Sequence, residues 1–329
     1  MIIMARLVDK YDRRIDYLRI SITDRCNLRC YYCMPPEGVE LIESSEILSC
    51  EEIVKLVRIA VELGISKFRI TGGEPLVRKG VITLIKGLKA LAGVKDLALT
   101  TNGTLLSQFG EKLTTAGLDR LNISLDTLQP KKFNEITRFN QLQQVLVGIK
   151  EAVELGLDPV KINAVIMKGI NDDEVFDFIE LTREYPLHVR FIEFMPSGSK
   201  EAEQRRFYLG TDKLRELIQT KEQLVPVAEV QGNGPASYYR VNGALGTIGF
   251  ISPISNHFCH HCNRLRLTAT GGLRPCLSSD QEVNLKKILR AEGSEAELKQ
   301  AFSLAVSKKP NRHNLGQGHF NRTMSQIGG

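Results

Sequence analysis

The chain has 329 residues, of which 42% are hydrophobic and 25% charged, and it carries a net charge of +6 at pH 7. This length suffices for one large domain and a smaller one, and seven Cys, an odd number, exclude an evenly paired secreted disulfide scaffold. The positive charge is not concentrated in a basic tail, so it suits an anionic ligand without requiring nucleic acid. The grouped thiols indicate a cytoplasmic protein. No run approaches the ~20 apolar residues that a membrane span needs, so we expect no membrane-crossing helix.

The N-terminal two thirds of the chain alternates between short strands and amphipathic helices. Strands are predicted over residues 17–23, 67–71, 96–101, 119–125, 159–167 and 188–195. The first helix begins at Ser49, which forms a capping box with Glu52, and it ends at Gly64. Further helices are predicted over residues 79–91, 105–116, 141–155 and 172–184. This alternation predicts an α/β fold with a parallel sheet, and six units predict an open, partial (β/α)6 TIM-like barrel.

The pattern changes in the last third of the chain. Residues 197–207 are polar, residues 211–220 fit a helix, and residues 231–250 are rich in Gly with short apolar runs. We therefore place a boundary near residue 225, with the barrel in residues 1–225 and a smaller α+β region in residues 226–329.

Within the predicted strands, apolar and polar residues alternate. A strand places successive side chains on opposite faces, so Arg19, Arg69, Ser124 and Lys161 should lie on the polar face of their strands. A shared polar barrel interior explains the pattern, and an anionic ligand would offset the cost of burying these cations. The alternative is a sheet with one solvated face.

Three thiols form a group directly after the first strand. Cys26, Cys30 and Cys33 have the spacing C-x3-C-x2-C, which suits zinc or an iron–sulfur cluster. No fourth Cys or His lies nearby, and a structural zinc site needs four ligands. Three ligands on a four-iron cluster would leave one iron open for a small molecule, whereas the alternative is a zinc knuckle or a chance group of thiols. We assign no role to Cys50.

The second strand is followed by Thr71, Gly72, Gly73, Glu74 and Pro75. Paired glycines let a backbone approach a ligand closely, and the Glu74 carboxylate could accept a hydrogen bond from an ammonium group. The alternative is a plain turn between strand and helix.

A second thiol group, Cys259, Cys262 and Cys276, has the spacing C-x2-C-x13-C. Two kinds of site fit this spacing. One is a second three-Cys iron–sulfur cluster. The other is a zinc site whose fourth ligand would be His257, His260 or His261. Between the thiols, Arg264 and Arg266 share one face of an extended segment. Two guanidinium groups beside a metal suit a phosphate, although a solvated basic face remains the alternative.

Together these motifs resemble the radical S-adenosylmethionine enzymes and, within them, the molybdenum cofactor biosynthesis protein A family of GTP 3′,8-cyclases. The resemblance runs from about Asp16 to the terminal Gly328 and Gly329, and a Trp expected within residues 197–210 is missing. The resemblance implies a radical SAM barrel whose C-terminal region carries the second cluster, so the cofactors would be two [4Fe-4S] clusters and S-adenosylmethionine.

The resemblance also implies a reaction. The first cluster would cleave S-adenosylmethionine to a 5′-deoxyadenosyl radical, which removes the 3′ hydrogen of GTP, and the ribose carbon would then attack C8 of guanine. The second cluster would hold the purine. Cofactor-binding positions carried over from the family are Tyr32, Gly73, Ser124 and Met195. Substrate-binding positions are Arg19, Arg69, Thr100, Lys161, Arg264 and Arg266.

The implied partners are GTP, S-adenosylmethionine, an electron donor, and cyclic pyranopterin monophosphate synthase as the next enzyme; a homodimer is compatible with the family. One rival interpretation is a peptide-modifying radical enzyme, which would carry more C-terminal Cys and lack the Arg264 and Arg266 pair. A zinc-binding nucleic-acid module is the other, and it would need a concentrated basic face and stacking aromatics.

Overall fold

The structure is a computed structural model, and it describes residues 6–196, 201–228, 230–231 and 234–313. Gly328 and Gly329 lie outside the described residues, as do residues 197–200. None of the described helices is long and apolar enough to cross a membrane.

The described residues form a twelve-stranded sheet. Its strands are β1 (Tyr17–Ser21), β2 (Lys67–Thr71), β3 (Asp96–Thr101), β4 (Arg120–Ser124), β5 (Val160–Ile166), β6 (His188–Glu193), β7 (Val225–Val227), β8 (Ser237–Arg240), β9 (Thr247–Ile251), β10 (Arg264–Leu267), β11 (Gly272–Arg274) and β12 (Val283–Asn284).

The described helices are α1 (Cys50–Glu62), α2 (Val81–Lys89), α3 (Leu106–Thr115), α4 (Pro130–Thr137), α5 (Leu142–Glu154), α6 (Val175–Glu184), α7 (Glu201–Gln204), α8 (Thr211–Gln219), α9 (Leu285–Arg290) and α10 (Glu295–Ser307). The capping box of Ser49 and Glu52 is present at the start of α1. Helix α4 has no counterpart among the helices predicted from the sequence.

Strands β1 to β6 lie side by side in chain order, and each is parallel to the next. This confirms the open, partial barrel of six βα units. The C-terminal strands extend both edges of the same sheet: β9 is parallel to β6, and β10 is parallel to β1. The boundary near residue 225 stays a prediction, since the sheet continues across it.

The two faces of the strands differ as the alternating pattern predicts. On the outer face, Leu18 and Ile20 of β1 are fully buried in the same core as Leu56 and Ala60 of α1. Burying such a side chain contributes roughly 1.5–3 kcal/mol. On the inner face, Arg19 is in register with Arg266 of β10 on one side and with Arg69 of β2 on the other. The core therefore lies between sheet and helices, and the polar side chains face the barrel interior.

Candidate active site

The inner face of the sheet encloses a cavity of about 370 Å³. Every strand from β1 to β6 contributes to its lining, as do β9, β10 and the segments around the second thiol group. Fifteen of the sixteen predicted site residues line this cavity. They are Cys26, Cys30, Cys33, Cys259, Cys262, Cys276, Tyr32, Gly73, Ser124, Met195, Arg19, Arg69, Thr100, Arg264 and Arg266.

Lys161 is the exception. Its side chain points inward from β5, as predicted, but its ammonium group donates a hydrogen bond to the carbonyl oxygen of Gln231 and lies 5.5 Å from the ring centre of Tyr238. Burial and the nearby Arg190 lower the pKa of Lys161 to about 6. The Lys161 ammonium is thus bonded to a segment remote in sequence, and Lys161 does not line the cavity.

The two thiol groups lie at opposite ends of the strands. Strands β1 and β10 are parallel, with Tyr17 opposite Arg264. The first thiol group follows the carboxyl end of β1, whereas Cys262 precedes the amino end of β10. Cys276 follows β11, which is antiparallel to β10 and so ends near the same place. The row of Arg266, Arg19 and Arg69 crosses the sheet between the two groups.

The loop that carries the first thiol group rests on the unpredicted helix α4. The backbone N–H groups of Arg29 and Tyr31 each donate, at 3.0 Å, to carbonyl oxygens in the last turn of α4. Arg138 follows α4 in the left-handed conformation at φ 64°, and its guanidinium donates to the carbonyl oxygens of Arg29 and Met34. These two carbonyls bracket Cys30 and Cys33, so α4 fixes the spacing of the loop.

The thiols of this group suit a bound metal cluster. Burial raises the pKa of both Cys26 and Cys30, and the neighbouring Cys33 raises that of Cys30 further. Thiols that are costly to ionise alone become thiolates when a metal binds them. In the described part of the chain, no three His, Cys, Asp or Glu side chains are placed to hold a single metal ion. Three thiols on one short loop could each supply a thiolate ligand to an iron–sulfur cluster.

Gly72 and Gly73 bring the loop after β2 against the segment that leads into Cys26. A Cβ on Gly73 would lie 2.4 Å from the carbonyl oxygen of Arg25, and one on Gly72 would lie 2.5 Å from that of Thr23. The two glycines thus let their loop pack closely against the backbone of the segment before Cys26. Both glycines also line the cavity.

The expectation for Glu74 needs correction. Its carboxylate is fully buried and accepts hydrogen bonds from the backbone N–H groups of Leu76 and Asn102 and from the hydroxyl of Thr101. Burial raises its pKa to about 7. The Glu74 carboxylate is thus hydrogen-bonded to neighbouring protein groups and connects the glycine loop to the end of β3. Glu74 does not line the cavity.

Asp126 lines the cavity, on the polar face where strand alternation predicts it, although no site role was predicted for it. Its Oδ2 accepts a hydrogen bond from the Tyr32 hydroxyl at 2.5 Å, and its Oδ1 accepts one from the Val165 backbone at 2.9 Å. Burial raises the pKa of Asp126 to about 6. Asp126 therefore orients the Tyr32 ring beside the first thiol group. Its position two residues after Ser124, beyond the carboxyl end of β4, is the sequence signal that places it on the inner face.

The second thiol group is electropositive. Burial raises the pKa of the Cys262 thiol, but Arg264 and Lys309 outweigh this effect and lower it to about 6. The backbone and the side chain of Arg264 both donate hydrogen bonds to Cys262. Of the candidate fourth ligands, His260 and His261 are exposed, and none of the three predicted histidines lines the cavity.

The cation row makes the cavity a site for an anion. Burial, with Arg266 and Arg69 as like-charged neighbours, lowers the pKa of Arg19, and burial lowers the pKa of Arg266 to about 10. The buried Nε of Arg69 and hydroxyl of Thr100 have no hydrogen-bond partner among the described residues. Buried polar atoms of this kind ordinarily have a partner, which a bound polyanion would supply.

Arg190 adds a further buried cation to this cavity. It extends inward from β6 and donates a hydrogen bond of 2.6 Å to the side-chain oxygen of Asn122. The alternation rule that selected Arg19 and Arg69 also applies to Arg190, whose inward position is therefore predictable from the sequence.

Two family models match the chain: the Radical SAM superfamily over residues 20–182 and Molybdenum Cofactor Synthesis C over residues 187–315. A protein of Syntrophomonas wolfei subsp. wolfei named GTP 3′,8-cyclase is 52% identical over 326 residues, covering 98% of this chain and 100% of that protein. A Petrotoga mobilis protein of the same name is 51% identical over 325 residues, with coverages of 98% and 100%.

The chain belongs to the GTP 3′,8-cyclase family. As a member of that family it is a radical S-adenosylmethionine enzyme of molybdenum cofactor biosynthesis, and the radical SAM domain implies one [4Fe-4S] cluster and S-adenosylmethionine. The crystal structure of Streptococcus suis SuiB bound to S-adenosylmethionine has a TM-score of 0.59 at 15% identity, covering 94% of this chain and 79% of that one. That likeness supports the fold of this GTP 3′,8-cyclase family member and says nothing about its activity.

Proposed function

We propose that the chain binds S-adenosylmethionine and GTP in the cavity and converts GTP to (8S)-3′,8-cyclo-7,8-dihydroguanosine 5′-triphosphate. One observation carries the proposal: two three-Cys groups lie at opposite ends of a cavity crossed by a row of arginines. Each group would hold a [4Fe-4S] cluster through three thiolates and leave one iron for a small molecule. When bound, the first cluster and S-adenosylmethionine supply the radical that takes a hydrogen from the substrate.

Tyr32, Gly73, Ser124 and Met195 would bind S-adenosylmethionine. The support is their position: all four line the cavity, Tyr32 lies within the loop of the first thiol group, and Gly73 packs against the segment that leads into that loop. Through its hydrogen bond to Tyr32, Asp126 would keep the ring in place as the cofactor binds. The enclosing walls would exclude water from the reacting atoms.

Arg19, Arg69, Thr100, Arg264 and Arg266 would bind GTP. A triphosphate can accept several hydrogen bonds from guanidinium groups at once, and it would neutralise cations whose burial is otherwise costly. Lys161 would join them by exchanging the carbonyl of Gln231 for a phosphate oxygen. The thiol group of Cys259, Cys262 and Cys276 would hold the purine through the open iron of the second cluster.

A reductive cleavage needs an external electron donor. By resemblance to the family, the product would pass to cyclic pyranopterin monophosphate synthase. Thiols that must stay reduced to hold clusters would suit a reducing compartment such as the cytoplasm.

The test uses GTP carrying deuterium at C3′ and anaerobically reconstituted protein. The proposal expects one deuterium in the 5′-deoxyadenosine that forms, together with the cyclised nucleotide. If 5′-deoxyadenosine forms without deuterium, the 3′ hydrogen is not the one removed, and the proposed reaction is wrong.

A further inference from the structure

We infer that Lys309 is a positioning residue that holds the second thiol group in register and keeps a positive charge against its cluster. The inference rests on the second cluster of the proposed function. It comes from a juxtaposition: a fully buried ammonium group lies between the two chain segments that carry Cys262 and Cys276.

Lys309 follows the end of α10 and is only 2% exposed. Its Nζ donates a hydrogen bond of 2.7 Å to the carbonyl oxygen of Arg264 and one of 2.8 Å to that of Pro275. Arg264 is two residues beyond Cys262, and Pro275 directly precedes Cys276. One side chain therefore fixes the distance between two of the three ligand segments.

The third ligand segment is tied to the same place by a second cation. Arg13 donates hydrogen bonds to the carbonyl oxygen of Cys259 at 2.6 Å and to that of Pro310, the residue after Lys309, at 2.7 Å. Asp9 holds the Arg13 side chain through a buried ion pair of 2.7 Å. Lys309 and Arg13 thus connect all three cysteine segments through backbone carbonyls.

Lys309 also acts through its charge. An ammonium has three N–H donors, and Lys309 lines the cavity, so its third N–H is available to a group bound there. A cation beside an iron–sulfur cluster favours the reduced, more negative form and raises the reduction potential, since charge and hydrogen bonds near the sulfurs set that potential.

The experiment isolates the second cluster in the full-length chain by changing Cys26, Cys30 and Cys33 to Ser. In this background, Lys309→Met removes the charge and the donors but keeps an unbranched side chain. Lys309→Arg keeps both. Lys308→Met is the matched control, because Lys308 is exposed and adjacent. The readouts are iron per chain after anaerobic reconstitution and the midpoint potential of the cluster.

The inference expects Lys309→Met to lose iron or to show a more negative midpoint potential, Lys309→Arg to restore both, and Lys308→Met to match the parent. A general folding role is tested in the opposite background, Cys259→Ser with Cys262→Ser and Cys276→Ser. There Lys309→Met should leave the iron of the first cluster unchanged.

Three outcomes would overturn the inference: equal behaviour of Lys309→Met and Lys308→Met, no restoration by Lys309→Arg, or loss of first-cluster iron in the opposite background. If the variant with only Cys26, Cys30 and Cys33 changed to Ser bound no iron, the second cluster of the proposed function would fail, and the inference with it. If that variant binds about four irons and only the lysine comparison fails, the proposed function stands.

Discussion

Individual residues of this site show when the alternation rule suffices and when it does not. Period-two alternation indicates which face of a strand a side chain occupies, and it correctly turned Arg19, Arg69 and Lys161 inward. It does not indicate what the tip of a long side chain meets. The guanidinium of Arg69 lines the cavity, whereas the ammonium of Lys161 meets Gln231, 70 residues away in sequence.

Replacing Arg69 should weaken GTP binding without lowering the stability of the ligand-free protein. Arg69→Met should weaken GTP binding by roughly 10- to 100-fold, because it removes a charged hydrogen-bond donor. It should leave the ligand-free protein at least as stable, since a buried cation among like charges is replaced by an apolar side chain. The measurements are the GTP dissociation constant and denaturant unfolding. The exposed Arg240→Met is the control, and equal GTP affinity in the two variants would contradict the phosphate role.

Glu74 should make stability depend on pH. Its folded-state pKa of about 7 lies above the ordinary 4.5, so the folded protein binds this proton more tightly than the unfolded chain does. Stability should therefore fall as pH rises from about 4.5 to about 7, by at most about 3 kcal/mol from this group. Unfolding of the iron-free protein at pH 5 and pH 8 should show a larger fall for the parent than for Glu74→Gln. Parallel pH dependences would show that Glu74 is ionised without penalty.

At the scale of the element, helix α4 shows what local sequence reasoning left out. Pro130 occupies its first turn, and Phe133, Ile136 and Thr137 are buried at helical spacing. Those signals are present in the sequence but span only eight residues. The role of the helix, which is to accept hydrogen bonds from the loop of Cys30 and Cys33, depends on where the barrel places that loop, and no local pattern encodes that.

The glycine loop after β2 should control the first cluster. A Cβ on Gly73 would meet the backbone of Arg25 at 2.4 Å, and backbone cannot turn aside as a flexible side chain can. Gly73→Ala should displace the segment that leads into Cys26 and reduce the iron held by the first thiol group.

The control for this prediction is Gly156→Ala. Gly156 has φ +71° and no atom within 4 Å of its added Cβ, so the change costs only backbone strain of about 1–2 kcal/mol. Iron per chain is measured in the background that lacks the second thiol group. Equal iron in the two variants would mean that the loop contact does not position the cysteines.

At the scale of the whole molecule, the two thiol groups come together because the chain returns to its first strand. Motif spacing predicted each group separately. Both groups face one cavity because β10 pairs with β1. The paired residues are more than two hundred positions apart, and no local pattern in the sequence indicates that they meet. Lys309 and Arg13 were missed for the same reason, because their acceptors lie in distant segments.

The continuous sheet makes a prediction about the boundary near residue 225. A chain ending there would leave β1 without β10 and β6 without β9, and it would expose apolar side chains along both open edges. We expect this truncated chain to show no cooperative thermal transition by circular dichroism, in contrast to the full chain. A cooperative transition would instead support two separately folding domains.

The central claim, two three-cysteine clusters at opposite ends of one arginine-lined cavity, is tested most directly by metal content. Iron and zinc are measured per chain in the anaerobically reconstituted parent and in the two triple Cys→Ser variants. The account predicts about eight irons in the parent, about four in each variant and no zinc. Zinc at the second thiol group, or about four irons in the parent with none remaining once Cys26, Cys30 and Cys33 are changed, would contradict it.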